Sequence, residues 1–212
     1  NVLVIGGGDG GVARELGRHD CLESITVVEI DEAVIAASRR HLPSLSRGLA
    51  HPKVKLIVGD GVKYVAECAP ASFDVIIVDS TLAVGPAQGL FSPDFYGHAR
   101  RALRPGGVLV SQAESPRHNA RVFAEIHACH AALFGAARVF PYLISVPTYP
   151  SGLWSLLYST VSDTHPCRDL LDARARSFTA EQRLRYYSDE IHRAAFALPG
   201  YVRELFSATE QD

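Results

Sequence analysis

Acids set among glycines, or at the ends of apolar runs, are the residues here that could do chemistry. Gly6-Gly7-Gly8-Asp9-Gly10-Gly11 follows the apolar run Val2 to Ile5. Glycines at such a place let a backbone turn tightly and come close to a ligand. A bare glycine loop would equally be a plain strand-to-helix turn, but a carboxylate in its midst suits a cation, since a diphosphate would meet like charge. Glu29 and Asp31 close Val27-Val28-Glu29-Ile30-Asp31, about 20 residues past the loop, where an acid commonly holds a ribose diol. A solvated strand end is the bland alternative for Glu29, and Asp31 is equally suited to capping the next helix. Gly59-Asp60-Gly61 offers an acid that an adenine amino group could use, though the same tripeptide is a common turn. Asp79 ends the run Val75 to Val78.

These acids make sense only if they share one end of a sheet. The pattern predicts strands at Val2–Ile5, Ser24–Ile30, Val54–Val58, Phe73–Val78 and Val108–Ser111, alternating with helices at 12–18, 32–41, 62–66, 94–103 and 121–134. Pro43 and Pro105-Gly106-Gly107 are read as helix stops. Such alternation gives a parallel sheet covered on both faces, with ligands beyond the carboxyl ends of its strands. Asp9 and Asp79 are then expected to face one cavity. With no Lys or Arg beside them in sequence, they suggest an anionic site for an amine. Ser111-Gln112-Ala113-Glu114-Ser115 would add an amide and another acid at the rim. Val139–Val146 and Leu153–Thr160 have no helix between them and should pair antiparallel, as in the class I methyltransferase fold. The tail from Thr179 to Phe206 reads as mostly helical, broken at Pro199-Gly200.

Composition narrows the class. The 212 residues are 47% hydrophobic and 21% charged, which suits a globular domain and not a disordered or fibrous chain. A net charge of −2 gives no basic footprint for nucleic acid. No apolar run is long enough to span a bilayer. The four cysteines are far apart with no Cys-x-x-Cys, so neither a zinc site nor a disulfide framework is expected. His127 and His130 sit three apart around Cys129 without further ligands, and Phe91, Phe95, Tyr96 and Trp154 read as core, with a wall of the amine site the alternative for Trp154. No leader-like segment is evident, and a cytoplasmic location is expected. Methionine is absent, so the chain is expected to be the C-terminal part of something longer.

The ordered motifs Gly6 to Gly11, Val28-Glu29-Ile30-Asp31, Gly59-Asp60-Gly61, Asp79-Ser80-Thr81, Val84-Gly85-Pro86-Ala87, Gln112-Ala113-Glu114-Ser115 and Pro147-Thr148-Tyr149-Pro150-Ser151-Gly152 together resemble the spermidine synthase family. So does the tail Tyr186-Tyr187-Ser188-Asp189-Glu190-Ile191-His192-Arg193-Ala194-Ala195-Phe196-Ala197-Leu198-Pro199. The resemblance runs from Asn1 to about Phe206. It implies a Rossmann-like α/β fold with a mostly parallel seven-stranded sheet, a terminal antiparallel hairpin and C-terminal helices, in one catalytic domain over 1–212. It implies transfer of an aminopropyl group from decarboxylated S-adenosylmethionine, a co-substrate and not a resident cofactor, to putrescine. The products would be spermidine and methylthioadenosine.

By the same resemblance Gly6, Gly8 and Gly10 bring the loop against the donor, Glu29 holds its ribose, Asp60 and Gly61 its adenine, and Pro86 lines the nucleoside site. Asp9 holds the aminopropyl ammonium, Asp79 matches the general base, and Gln112 and Tyr149 line the acceptor site. No metal and no nucleic-acid or membrane partner is implied, and a homodimer or homotetramer is. Two departures stand out. Where the family has a second aspartate and a proline after the base, this chain has Leu82 and Ala83. The family's N-terminal β-rich segment is also missing from these 212 residues. The rival readings are an ordinary methyltransferase using intact S-adenosylmethionine and a non-catalytic binding homologue. Asp9 argues against the first, because the intact donor carries a carboxylate that it would repel.

Overall fold

The computed structural model describes residues 1–82 and 85–207, without the side chains of Pro86 and Ser207. The chain divides into two compact units, Asn1–Ser111 and a second beginning at Gln112.

The first unit is built on parallel strands β1 (Val2–Gly6), β2 (Ile25–Glu29), β3 (Val54–Val58), β4 (Phe73–Asp79) and β5 (Leu103–Gln112), ordered β3-β2-β1-β4-β5. Its described helices are α1 (Gly11–Leu16), α2 (Glu32–His41), α3 (Pro43–Ser46), α4 (Gly61–Glu67) and α5 (Pro93–Ala102). Successive strand residues point to opposite faces. Val2, Val4, Ile25 and Val27 pack with Ala13, Ile35 and Leu49 in one core cluster. Leu3, Ile5, Val28, Ile76 and Leu109 are buried as well. Both faces are therefore covered, which explains why these strands read as continuous apolar runs.

Several boundaries differ from expectation for local reasons. Helix α5 stops at Ala102, and β5 begins at Leu103 because Leu103 pairs with Phe73. The register then shifts before Val108 takes up with Val75. Pro105-Gly106-Gly107 thus lies within β5, not in front of it. Pro43 does end α2, but it also opens α3 at its first turn, where a missing N–H costs nothing. The 3₁₀ turns at Arg47–Ala50 and Gly85–Phe91 have no apolar period to announce them.

The second unit holds α6 (Ala120–Phe134), β6 (Val139–Ser145), β7 (Leu153–Thr160), α7 (Asp172–Glu181), α8 (Asp189–Ala195) and α9 (Gly200–Ser207). β6 and β7 pair antiparallel from Val139–Ser159 to Ser145–Leu153, as the absence of a crossover helix requires. The stretch that runs on from β5 meets β7 at Ser155, through Ala113 N–H to Ser155 O and Ser155 N–H to Glu114 O. The tail helix begins earlier than expected and breaks twice. Arg183 takes a left-handed φ of 51°, and Ser188 then caps α8 by accepting from Ile191 N–H. Among the described residues no helix is long and apolar enough to cross a membrane.

Candidate active site

Strand β1 ends in Gly6, which lies opposite Asp79 at the end of β4. Gly6 has φ +82°, and a Cβ there would fall 2.1 Å from the Asp79 carbonyl oxygen, so the position admits only glycine. Gly7 N–H donates to that same carbonyl at 3.1 Å. The glycine loop is thereby stitched to the residue that ends β4. On its other side Gly8 N–H donates to Glu29 Oε2 at 3.0 Å, and a Cβ on Gly8 would sit 2.6 Å from Glu29 Cγ. Glu29, though 8% exposed, also accepts from Asp31 N–H through Oε1. One buried carboxylate thus ties the ends of β1 and β2 together.

Asp9 curls back on its own loop, with Oδ1 accepting from Gly11 N–H at 2.8 Å. Asp79 is exposed to solvent at the end of β4, yet neighbouring protein takes part of the water from its carboxylate. Partial loss of water raises its pKa first, and the negative charges of Asp9 and Glu29 raise it further, to about 6. Three carboxylates at the ends of three adjacent strands therefore act as one electrostatic group. Such a group favours cations, and Asp79 can exchange a proton close to neutral pH.

Asp31 and Asp60 are both helix caps. Asp31 accepts from Ala33 N–H and starts α2, while Asp60 Oδ1 accepts from Val62 and Lys63 N–H and starts α4. For Asp31 capping is the role the structure displays. For Asp60 the cap engages Oδ1 and leaves Oδ2 as a second acceptor. Gly61 is buried against Ile5. Gly10, left-handed at φ 83°, forms the N-cap of α1. Ala83, Val84 and the side chain of Pro86 lie outside the described residues, and the nucleoside-lining role read for Pro86 lies there with them.

In the second unit Gln112 is buried, and its Oε1 accepts from Glu114 N–H at 3.0 Å. Tyr149 is exposed at the hairpin tip and stacks on Trp154 with ring centroids 4.3 Å apart. Glu114 does not stand at a rim as the sequence suggested: it is 1% exposed, and its carboxylate accepts from Asn119 Nδ2 at 2.7 Å. A glutamate between alanine and serine at the end of an apolar strand carries no sequence mark of burial. Sequence reading also missed what backs the glycine loop, where a Cβ on Gly10 would fall 2.9 Å from Leu45 O and Ser46 Cα of α3. Pro43 at a helix start was the available signal.

Comparison with known proteins matches this geometry. The model of the spermine/spermidine synthase domain fits residues 1–167. A polyamine aminopropyltransferase from Desulforudis audaxviator is 44% identical over 205 residues, covering 97% of this chain and 71% of that protein. The chain belongs to the spermine/spermidine synthase family. Spermidine synthase 2 of Arabidopsis thaliana is 38% identical over 98% of this chain and 62% of its own length. A solved spermidine synthase in complex with the transition-state analogue AdoDATO superposes with TM-score 0.91 at 35% identity, over 98% of this chain and 69% of that one. The Thermotoga maritima spermidine synthase gives 0.89 at 35% identity, over 98% and 68%. The mostly parallel seven-stranded fold with its antiparallel C-terminal pair is thus that of the spermidine synthases, and the chain is an enzyme of the aminopropyltransferase class.

Proposed function

We propose that the enzyme transfers an aminopropyl group from decarboxylated S-adenosylmethionine to a diamine, with putrescine the expected acceptor. The observation that carries this reading is the carboxylate group of Asp9, Glu29 and Asp79, with Asp79 shifted to about 6. Both substrates are cations, and acids are what can hold two cations close against their repulsion. Asp9 pairs with the donor's ammonium, Glu29 accepts from the ribose hydroxyls and the second oxygen of Asp60 from the adenine amino group. Gln112 and Tyr149 meet the acceptor. The relative solved with AdoDATO supports a donor of this kind.

The acceptor nitrogen attacks the carbon beside the sulfonium. The carbon–sulfur bond breaks, its electron pair stays on sulfur, and methylthioadenosine leaves as a neutral thioether that needs no acid. The acceptor's difficulty is its proton. An alkylammonium has a pKa of about 10.4, so presenting the free amine at pH 7 costs about 4 to 5 kcal/mol. Asp79 binds the ammonium and receives or relays that proton. No resident cofactor or metal enters this scheme. A homodimer or homotetramer in the cytoplasm is the expected setting.

The test is methylthioadenosine release by the full-length protein from decarboxylated S-adenosylmethionine with putrescine, cadaverine, agmatine or spermidine. Putrescine should give the highest kcat/KM. Release with none of the amines, or methyl transfer from intact S-adenosylmethionine instead, overturns the reading.

A further inference from the structure

Beyond β5 lies a buried polar network whose central member does no chemistry in the scheme above. Glu114 is 1% exposed and has a left-handed φ of 68°, a conformation that is unfavourable for an ordinary residue. Its N–H donates to Gln112 Oε1 at 3.0 Å. Its carbonyl accepts from both the N–H and the Oγ of Ser155, itself fully buried on β7. Its carboxylate accepts from Asn119 Nδ2 at 2.7 Å. Asn119 is the N-cap residue of α6, yet its side chain makes no capping bond there. An asparagine in this position ordinarily stabilises a helix by capping it. Asn119 forgoes that role and clamps Glu114 instead.

The consequence falls on Gln112. A left-handed turn at Glu114 aims its N–H back at the side chain two residues earlier. That bond favours one rotamer and one amide orientation of the buried Gln112 side chain. We propose that Glu114 is a positioning residue: held by Asn119 and Ser155, it pre-orders the Gln112 amide for the amine acceptor. This rests on the reading of Gln112 as part of the acceptor site. A side chain ordered in advance does not have to be ordered by the ligand, so the benefit shows as acceptor affinity and not as donor affinity.

The experiment is a double-mutant cycle on the full-length protein, with putrescine varied at saturating decarboxylated donor. Glu114→Val puts a β-branched residue where φ is positive. Glu114→Gln keeps an oxygen for Asn119. Gln112→Ala removes the positioned group. We expect Glu114→Val to raise the putrescine KM about five- to ten-fold, the cost of one disordered side chain, with methylthioadenosine affinity unmoved. Glu114→Gln should recover most of that loss. In the Gln112→Ala background Glu114→Val should add nothing further. Should Glu114→Val fail to fold, Asn119→Ala, which removes only the clamp, should raise KM in the same direction by a smaller factor. A KM unmoved by Glu114→Val or Asn119→Ala, or an equal effect with and without Gln112, overturns the inference. A silent Gln112→Ala overturns the acceptor-site reading on which it stands, and is told apart by that single variant.

Discussion

Two groups of titratable side chains that lose water to neighbouring protein obey the same physics and end in opposite charge behaviour. In the first unit, loss of water raises Asp79 to about 6, with Asp9 and Glu29 pushing the same way. In α6, loss of water drives His127 down to about 4 and His130 to about 3, with His127 adding to the shift of His130. Loss of water disfavours charge in both places. The outcomes differ because the acid starts well below neutral and is lifted toward it, whereas the histidines start near neutral and are pushed away. Access differs too. Solvent reaches Asp79, while His130 is fully enclosed with its Nδ1 2.8 Å from Ser159 Oγ, and His127 stacks on Phe206 at 4.0 Å. One grouping is lifted toward neutral pH, as the proposed proton exchange requires, and the other is held neutral as packing.

The contrast breaks most sharply at Asp79. Asp79→Asn keeps the shape but removes the proposed proton acceptor, and steady-state turnover should fall by about 10² or more while methylthioadenosine still binds. An unchanged rate at pH 7 would mean that the proton leaves by another route.

The histidines should speak only through stability. A group whose folded pKa lies below its unfolded value binds protons better unfolded, so its contribution is intact above about pH 6.5 and is lost as pH falls toward 3. The enclosed His130 accounts for on the order of 4 kcal/mol over that window, and the partly accessible His127 for less. Denaturant unfolding of His127→Gln should therefore show a shallower acid slope than the unaltered protein, with kcat at pH 7.5 unmoved. For Asp79 the sign is reversed. Its folded pKa is raised, so it destabilises progressively as pH rises from about 4 through about 6.

Much of this was legible in the sequence, and the rest was hidden for identifiable reasons. The runs Val54–Val58 and Leu153–Thr160 and the helix Glu32–His41 have the predicted bounds, because apolar period and caps agree there. Gly6, Gly8, Glu29 and Asp79 come together because strand ends fix their place, and strand ends are easy to read. The span of β5 across Pro105-Gly106-Gly107 was not readable, since it depends on Leu103 pairing with a residue thirty positions away. Glu114 is not the rim acid expected, because Asn119 holds its carboxylate and Ser155 its backbone carbonyl, and no local pattern ties these residues to it.

A smaller effect sharpens the charge side of the comparison. Decarboxylated S-adenosylmethionine should bind at least about ten-fold better than the intact donor, because Asp9 repels the extra carboxylate, and Asp9→Asn should narrow the gap. Equal affinities by calorimetry in the unaltered protein would remove Asp9 from donor selection. The smallest effect belongs to Leu82, an exposed apolar residue just past Asp79 where the resembled family has an acid. Leu82→Asp with Ala83→Pro should lower the putrescine KM several-fold, a gain of about 1 kcal/mol. Unmoved kinetics would place Leu82 away from the acceptor.

The central claim is that Asp79 titrates as a member of a three-carboxylate group. Carbon-13 NMR of its side-chain carboxyl, followed through pH in the unaltered protein and in Asp9→Asn, measures this directly. The account predicts an inflection at about 6 that moves to lower pH when Asp9 loses its charge. An inflection near the ordinary aspartate value of about 3.9, indifferent to Asp9, would contradict it.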